Sequence, residues 1–391
     1  MRIENYDLRQ LVEPLQNWFE EHARILPWRE NPTAYYVWIS EIMLQQTRVE
    51  AVKPYFDRFV RELPDVKALA ECPEDKLLKL WEGLGYYNRV RNLKVAANQI
   101  LENYEGEIPS EYEELLKLKG IGHYTAGAIA SIAYGKRVPA VDGNVLRVIS
   151  RVTADDSDIM KQSVRNSMEK ALLELMNCGS VDEKLEVTKL IPSVFNQALM
   201  ELGATVCLPN GAPHCEECPW KELCEARKRD RIAELPVKKK AKARRIEEKT
   251  VFIIKDGEQL ALHKRANKGL LAGLYELPNV EGYLSEKEAI AYIEAQGYIP
   301  IRIQEVCDSK HIFSHVEWHM KGYVVFLQAQ EFPKMKQKDV SDIDAQNRIV
   351  PEDWIFVEVE ETKENYAIPS AFVKYTEYLN MTIGKEAIEK K

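Results

Sequence analysis

The feature that most constrains this 391-residue chain is a change of hydrophobic period near residue 250. From Leu8 to about Arg227, apolar residues recur at helical spacing, as in Leu11, Leu15, Trp18 and Phe19, and again in Val90, Leu93, Val95, Ala97 and Ile100. Breaks at Leu63-Pro64, Ile108-Pro109-Ser110 and Val138-Pro139 divide this stretch into roughly ten short helices, with no strand pattern. After Thr250 the texture turns to β, in TVFIIKD, QLALHKR, HVEWHMKGYVVFLQ and DWIFVEVE, with one helix at SEKEAIAYIEAQG. A chain that changes period this way is multidomain: an all-α domain over residues 1–226 and an α+β domain over 250–380. The intervening 227–249 has little apolar periodicity and reads as a linker.

That linker is also where the positive charge lies. The chain as a whole carries −8, yet Ala226 to Lys249 holds eleven Lys or Arg against four Asp or Glu. A solvated charge run and a phosphate-backbone contact are both open readings of it, so whole-chain charge does not exclude nucleic acid. With 45% hydrophobic and 30% charged residues the chain can bury a core. No apolar run approaches the ~18 residues of a membrane span. The opening MRIENYDLRQLVEP is charged and amphipathic rather than a signal peptide. An intracellular protein without a membrane partner is expected.

Of seven cysteines, Cys72, Cys178 and Cys307 stand alone, while Cys207, Cys215, Cys218 and Cys224 follow a C-x7-C-x2-C-x5-C spacing. An odd count with one tight cluster points to metal ligation in a reducing compartment, not to disulfides. Four thiolates can hold zinc or the corners of a 4Fe-4S cluster, in a structural or positioning role.

Two further signals lie upstream. In LKGIGHYTAGAIASIAYG, Gly120 and Gly122 separate two helical patterns. Such a turn is either a plain helix-helix corner or a place where backbone approaches a phosphate closely. Asp142, in PAVDGNVLR, precedes another helical pattern. It is either an ordinary N-cap or a carboxylate held at a cleft mouth, and the two are compatible because a cap fixes the side chain.

The hairpin LKGIGHYTAGA, the VDGNV aspartate and the cysteine cluster, in this order, resemble the helix-hairpin-helix DNA glycosylases with an iron-sulfur loop. WISEIMLQQTRV, WEGLGYYNRVRNL, FNQALMELGATVC and the C-terminal FSHVEW narrow the resemblance to the MutY-type adenine DNA glycosylases, over essentially the whole chain. One departure is a seven-residue gap between Cys207 and Cys215, where the family has six. A single surface-loop insertion costs little closure entropy, so four-cysteine ligation of a 4Fe-4S cluster is still expected.

The resemblance implies excision of adenine opposite 8-oxoguanine, and also opposite guanine, in double-stranded DNA by a monomer. Glu41 would be the general acid at adenine N7 and later the activator of water. Its neighbours Ile42, Met43 and Leu44, if they bury it, raise its pKa toward neutrality. Asp142 would remain ionised and stabilise, or attack, an oxocarbenium-like sugar, with Asn144 in the same cluster. Tyr124 stands where lyase relatives carry a Schiff-base lysine; it implies a monofunctional enzyme and a hydrogen bond to Asp142. Gln46 and Tyr86 would fill the gap left by the extruded base. Arg29 and Gln197 would line the adenine pocket, and Gly120 and Gly122 the phosphate contact. The C-terminal domain resembles a Nudix fold without its acidic box, which implies recognition of oxidised guanine through Ser314 and His315 rather than hydrolysis.

Three rivals share parts of this pattern: a bifunctional endonuclease III-like glycosylase/lyase, a non-catalytic DNA-binding iron-sulfur redox sensor, and a Nudix hydrolase of free nucleotides. Tyr124 and the second domain weigh against the first. A redox sensor has no need of Glu41 and Asp142 together. The missing acidic box disfavours the third.

Overall fold

A computed structural model describes residues 2–178, 190–238, 244–328 and 354–380. The chain forms two compact units: Met1–Cys72 with Asn88–Ala241, and Pro73–Tyr87 with Lys242–Lys391.

The first unit is helical throughout its described residues. Its centre is the Gly143–Val152 helix, whose residues Val145 to Val152 are all buried. A helix buried over this whole length, with Arg147, Ser150 and Arg151 included, must be wrapped by others. Leu11, Leu15 and Trp18 from the Val12–His22 region, with Phe195, Leu199 and Leu202 from Pro192–Thr205, share its core. Some helix starts are capped by side chains. Thr33 accepts from Tyr36 N to open Ala34–Leu44, and Asp142 caps Gly143–Val152 through Asn144 N and Val145 N. The helix after the glycine hairpin, His123–Ala128, runs on into a π-helical turn at Ile129–Ala133.

The segment expected as a linker is ordered from both sides. Residues up to Val237 belong to the helical unit: Arg151 Nε donates to Leu235 O at 2.9 Å and Ile159 N to Val237 O at 3.2 Å. At the other end Arg245 already begins a strand. The sparse apolar residues Ile232, Leu235 and Val237 are what the helical unit uses, and three residues give no visible period.

Among its described residues the second unit holds a mixed seven-stranded sheet. Its strands are β1 (Arg245–Asp256), β2 (Gln259–Lys264), β3 (Tyr275–Glu276), β4 (Asn279–Glu281), β5 (Pro300–Ile312), β6 (Val316–Leu327) and β7 (Trp354–Glu358). The order is β3-β2-β1-β6-β5, with β4 on β1 and β7 on β2; β1 and β6 run parallel, with Phe252 opposite Tyr323. Period-two alternation sends Val251, Ile253, Val324 and Phe326 to one face, packed with Phe372 and Tyr375. Phe252, Ile254, Tyr323 and Val325 go to the other, against Ala289 and Ile293 of the Glu286–Ala295 helix. Gly322 is required where it stands, since a Cβ there would lie 2.4 Å from Tyr375 Cε1.

β5 has no counterpart in the sequence reading. It is an edge strand with Ile301 and Ile312 exposed, so burial imposes little alternation on it. Residues 73–87, which the sequence places within the helical domain 1–226, belong structurally to the sheet unit. Lys79 Nζ donates to Thr362 O and Tyr366 O (3.0 and 3.1 Å), and Ile368 N to Glu82 Oε1 (2.7 Å).

Candidate functional site

Three backbone elements of the helical unit bring two carboxylates into one electrostatic neighbourhood. Glu41 lies on Ala34–Leu44 among Ile39, Ile42 and Met43 and is only 7% exposed. Tyr124, one residue into the helix behind the glycine hairpin, donates its hydroxyl to Glu41 Oε2 and also sits 3.2 Å from Met200 Sδ. Burial pushes the Glu41 carboxyl up to about 7; the neighbouring charge of Asp142 adds to this, while the Tyr124 hydrogen bond and Arg29 oppose it. A group balanced there can hold a proton at neutral pH and release it.

Asp142 is treated differently. Its Oδ1 accepts from Asn144 N (2.9 Å) and Val145 N (2.8 Å), and its Oδ2 from Asn144 Nδ2 (2.7 Å). Burial raises its pKa, but three N–H donors aimed at the carboxylate work toward the anion. Cap and site are thus one arrangement: the bonds that start a helix also hold an acid in place. Asn144 is in turn held, its Oδ1 accepting from Arg147 Nη2 at 2.9 Å. Arg147 also donates to Gly203 O (2.7 Å) and Cys207 O (2.8 Å). A Cβ at Gly203 would fall 2.5 Å from that of Asn144, so only glycine lets this helix approach.

Tyr124 therefore differs from expectation in its partner: its hydrogen bond goes to Glu41, not to Asp142. The reason is geometric, because Asp142 spends its oxygens on the turn that follows it.

Arg29 is held by a residue that sequence reasoning missed. Glu201, 1% exposed in its side chain, accepts from Arg29 Nη2 (2.9 Å) and from Arg24 Nε and Nη2 (2.6 and 3.0 Å). Burial alone would raise the Glu201 pKa, yet the two guanidiniums outweigh it and hold the carboxyl below its ordinary value. Arg29 further donates to Arg24 O at 3.2 Å and lies over the Phe19 ring. Glu201 stands four residues after Gln197 on Pro192–Thr205, inside a quoted motif, but nothing local marks a partner 172 residues away. Gln197 itself is half-buried, its amide donating to Ser193 O at 3.1 Å.

Cys207, Cys215, Cys218 and Cys224 line one cavity of ≈ 330 Å³, counting the space open to solvent. Among the described residues no three His, Cys, Asp or Glu side chains are arranged to hold a single metal ion. Four thiols lining one shared space are soft donors of the kind that ligate zinc or a 4Fe-4S cluster. Arg151 Nη1 approaches Cys207 Sγ at 3.3 Å.

The remaining expected residues divide between the units. Gly120, at φ +78°, turns the hairpin, and Gly122 precedes the helix that carries Tyr124. Gln46, at φ +59°, lies in the turn after Ala34–Leu44. In the sheet unit Tyr86, at φ +48°, meets Ser314: their hydroxyl oxygens are 2.9 Å apart. Ser314 and His315 form the exposed tip of the β5–β6 hairpin, which closes through Phe313 N to Val316 O at 2.8 Å.

Known proteins share this arrangement of parts. Residues 39–174 match the HhH-GPD superfamily of base excision DNA repair proteins, and residues 250–378 match the NUDIX domain. The chain is 33% identical to the adenine DNA glycosylase of Mus musculus over 82% of its own length and 71% of the relative's. It is 32% identical to that of Buchnera aphidicola subsp. Baizongia pistaciae, over 81% and 86% of the two chains. To the Homo sapiens adenine DNA glycosylase it is 32% identical, over 81% and 67%. These relatives span both units, so the joining of a helical repair domain to a sheet domain is itself a shared trait, and the chain belongs to the MutY-type adenine DNA glycosylases of base excision repair.

Proposed function

We propose that this glycosylase acts on adenine opposite 8-oxoguanine, and opposite guanine, in duplex DNA, and that it is monofunctional. The observation that carries the reading is the contrast between two neighbouring carboxylates: Glu41, balanced near neutrality, and Asp142, bound by three N–H donors.

Breaking an N-glycosidic bond needs a proton on the leaving base and a negative charge facing the sugar, a division of labour known from paired-carboxylate glycosidases. Glu41 gives its proton to N7 of the extruded adenine. The C1′–N9 bond then breaks, its electron pair leaving with the base. Asp142 faces the positive sugar and stabilises it at little reorganisation cost, since its donors are already in place. Glu41, now a carboxylate, takes a proton from water as the water adds to C1′. Tyr124 orients the Glu41 carboxyl, and its phenol cannot form the imine that a lyase needs. Arg29, clamped by Glu201, and Gln197 line the base pocket. Gln46 fills the gap left in the duplex, and the hairpin of Gly120 and Gly122 contacts phosphate.

The four cysteines would hold a 4Fe-4S cluster, which when bound ties their loop into one rigid body. In the sheet unit Ser314, placed by Tyr86, and His315 would read the edge of the oxidised guanine. The protein works as an intracellular monomer.

The test is single-turnover cleavage of a duplex with one adenine opposite 8-oxoguanine, with Glu41→Gln and Asp142→Asn alongside. Adenine release should vanish in both variants, and strand scission should need alkali. Scission without alkali would reveal a lyase; unimpaired release by either variant would remove that carboxylate from the mechanism.

A further inference from the structure

The helix Asn88–Asn103 carries none of the residues assigned above, yet it touches two of the segments assigned to DNA. At its start, one guanidinium nitrogen of Arg89 lies within donating distance of three carbonyls: Ile42 O at 2.7 Å, Met43 O at 3.0 Å and Gln45 O at 2.7 Å. These are the last acceptors of the Ala34–Leu44 helix and the one just beyond it, groups that a helix leaves without intrahelical donors. A cation there is favoured twice, by the hydrogen bonds and by the negative end of the helix dipole.

The next residue is Gln46, whose φ of +59° is one that residues with a side chain adopt only at a cost. The turn closes locally through Thr47 N to Leu44 O at 3.2 Å and Thr47 Oγ1 to Gln45 O at 3.4 Å. Those two contacts are long. The shorter bonds come from Arg89. One turn along the same helix, Asn92 occupies the space beside Gly120, whose added Cβ would lie 2.7 Å from Asn92 Cβ. Arg89, Asn92, Gln45, Lys119 and Gly120 all line one small cavity. A single rigid helix thus sets the spacing between the glutamine turn and the glycine hairpin.

We propose that Arg89 is a positioning residue for base extrusion: it holds the Gln45–Thr47 turn in the conformation that presents Gln46 to the gap in the duplex. The inference rests on the assignment of Gln46 to that gap. Arg89 touches neither adenine nor the reacting atoms, so its loss should slow extrusion and leave the chemistry intact.

The test compares two substrates under single turnover: adenine opposite 8-oxoguanine, which must be pulled from a pair, and adenine opposite a tetrahydrofuran abasic analogue, which is already unpaired. Extrusion costs a few kcal/mol, so Arg89→Met should slow the paired substrate about tenfold or more while changing the unpaired one far less. Arg89→Lys keeps the charge and part of the reach. It should fall between wild type and Arg89→Met on the paired substrate and match wild type on the unpaired one. Equal slowing of both substrates, or slowing of neither, overturns the proposal. Should Arg89→Met fail to fold, as thermal melting would reveal, equal slowing of both substrates by Arg89→Lys overturns it just as well. Gln46→Ala, run alongside, separates the two layers. If it is slowed selectively on the paired substrate and the Arg89 variants are not, only the positioning role falls. If it shows no selectivity, the Gln46 assignment falls and takes this inference with it.

Discussion

Glu41 in the helical unit is buried, while Ser314 and His315 in the sheet unit stand at an exposed hairpin tip. Glu41 is 7% exposed and burial lifts its pKa to about 7, whereas Tyr86 is 47% exposed and Ser314 is open to solvent. The difference follows from the tasks. Moving a proton and facing a cation need a low-dielectric setting in which a charge is felt strongly. On the proposed reading, recognition of a base edge would need only neutral donors and acceptors at a fixed place, and the Ser314 hydroxyl, 2.9 Å from that of Tyr86, is one such group. Under the proposed function, chemistry and recognition would thus occupy different physical environments in one chain.

The strongest way to break this comparison is to remove charge from the buried side. Asp142→Asn and Glu41→Gln should each lower single-turnover adenine release by ~10³-fold or more. The wild-type rate should carry its own signature. On the proposed mechanism Glu41 works protonated, so wild-type release should fall as pH rises through about 7, and a pH-independent rate would remove that role.

Glu201→Gln probes the frame around the same pocket. It leaves Arg24 and Arg29 without their buried counter-ion and should cost about 3–5 kcal/mol in chemical denaturation. Gly203→Ala should cost about 1–3 kcal/mol from overpacking against Asn144, and should slow adenine release as well, because Asn144 orients Asp142. A melting temperature and rate both unchanged would show that the helix can shift away freely.

The smallest effect belongs to the exposed side. Ser314→Ala should leave the rate on adenine opposite guanine unchanged and reduce the preference for 8-oxoguanine by about tenfold or less, the worth of one hydrogen bond. A loss as large as that from Asp142→Asn would collapse the division between chemistry and recognition.

Much of the fold was legible because period is a local property. The helical stretch, the strands at TVFIIKD and DWIFVEVE, and the helix at SEKEAIAYIEAQG, with its Ser285–Glu288 capping box, are written in residue order. Ile42, Met43 and Leu44, which follow Glu41 in the chain, made its burial a conditional expectation, and the Ala34–Leu44 helix does bury it. Asp142 could be read both as a cap and as a site residue, and it is a cap. β5 was not legible, because an edge strand is under little pressure to alternate.

By itself the sequence determined which stretch is helical, which stretches form a sheet, which four thiols stand close in the chain, and which carboxylate has apolar residues beside it. All of these depend on groups within a turn or two of one another. Only the tertiary structure decided that Tyr124 bonds Glu41, that Glu201 clamps Arg29, that Arg89 caps the helix before Gln46, and that residues 73–87 join the sheet unit. Each of these pairs groups from 44 to more than 280 residues apart. Hydrogen bonds and ion pairs of that reach leave no trace in local composition, because each partner alone is an ordinary polar residue until packing brings the other to it.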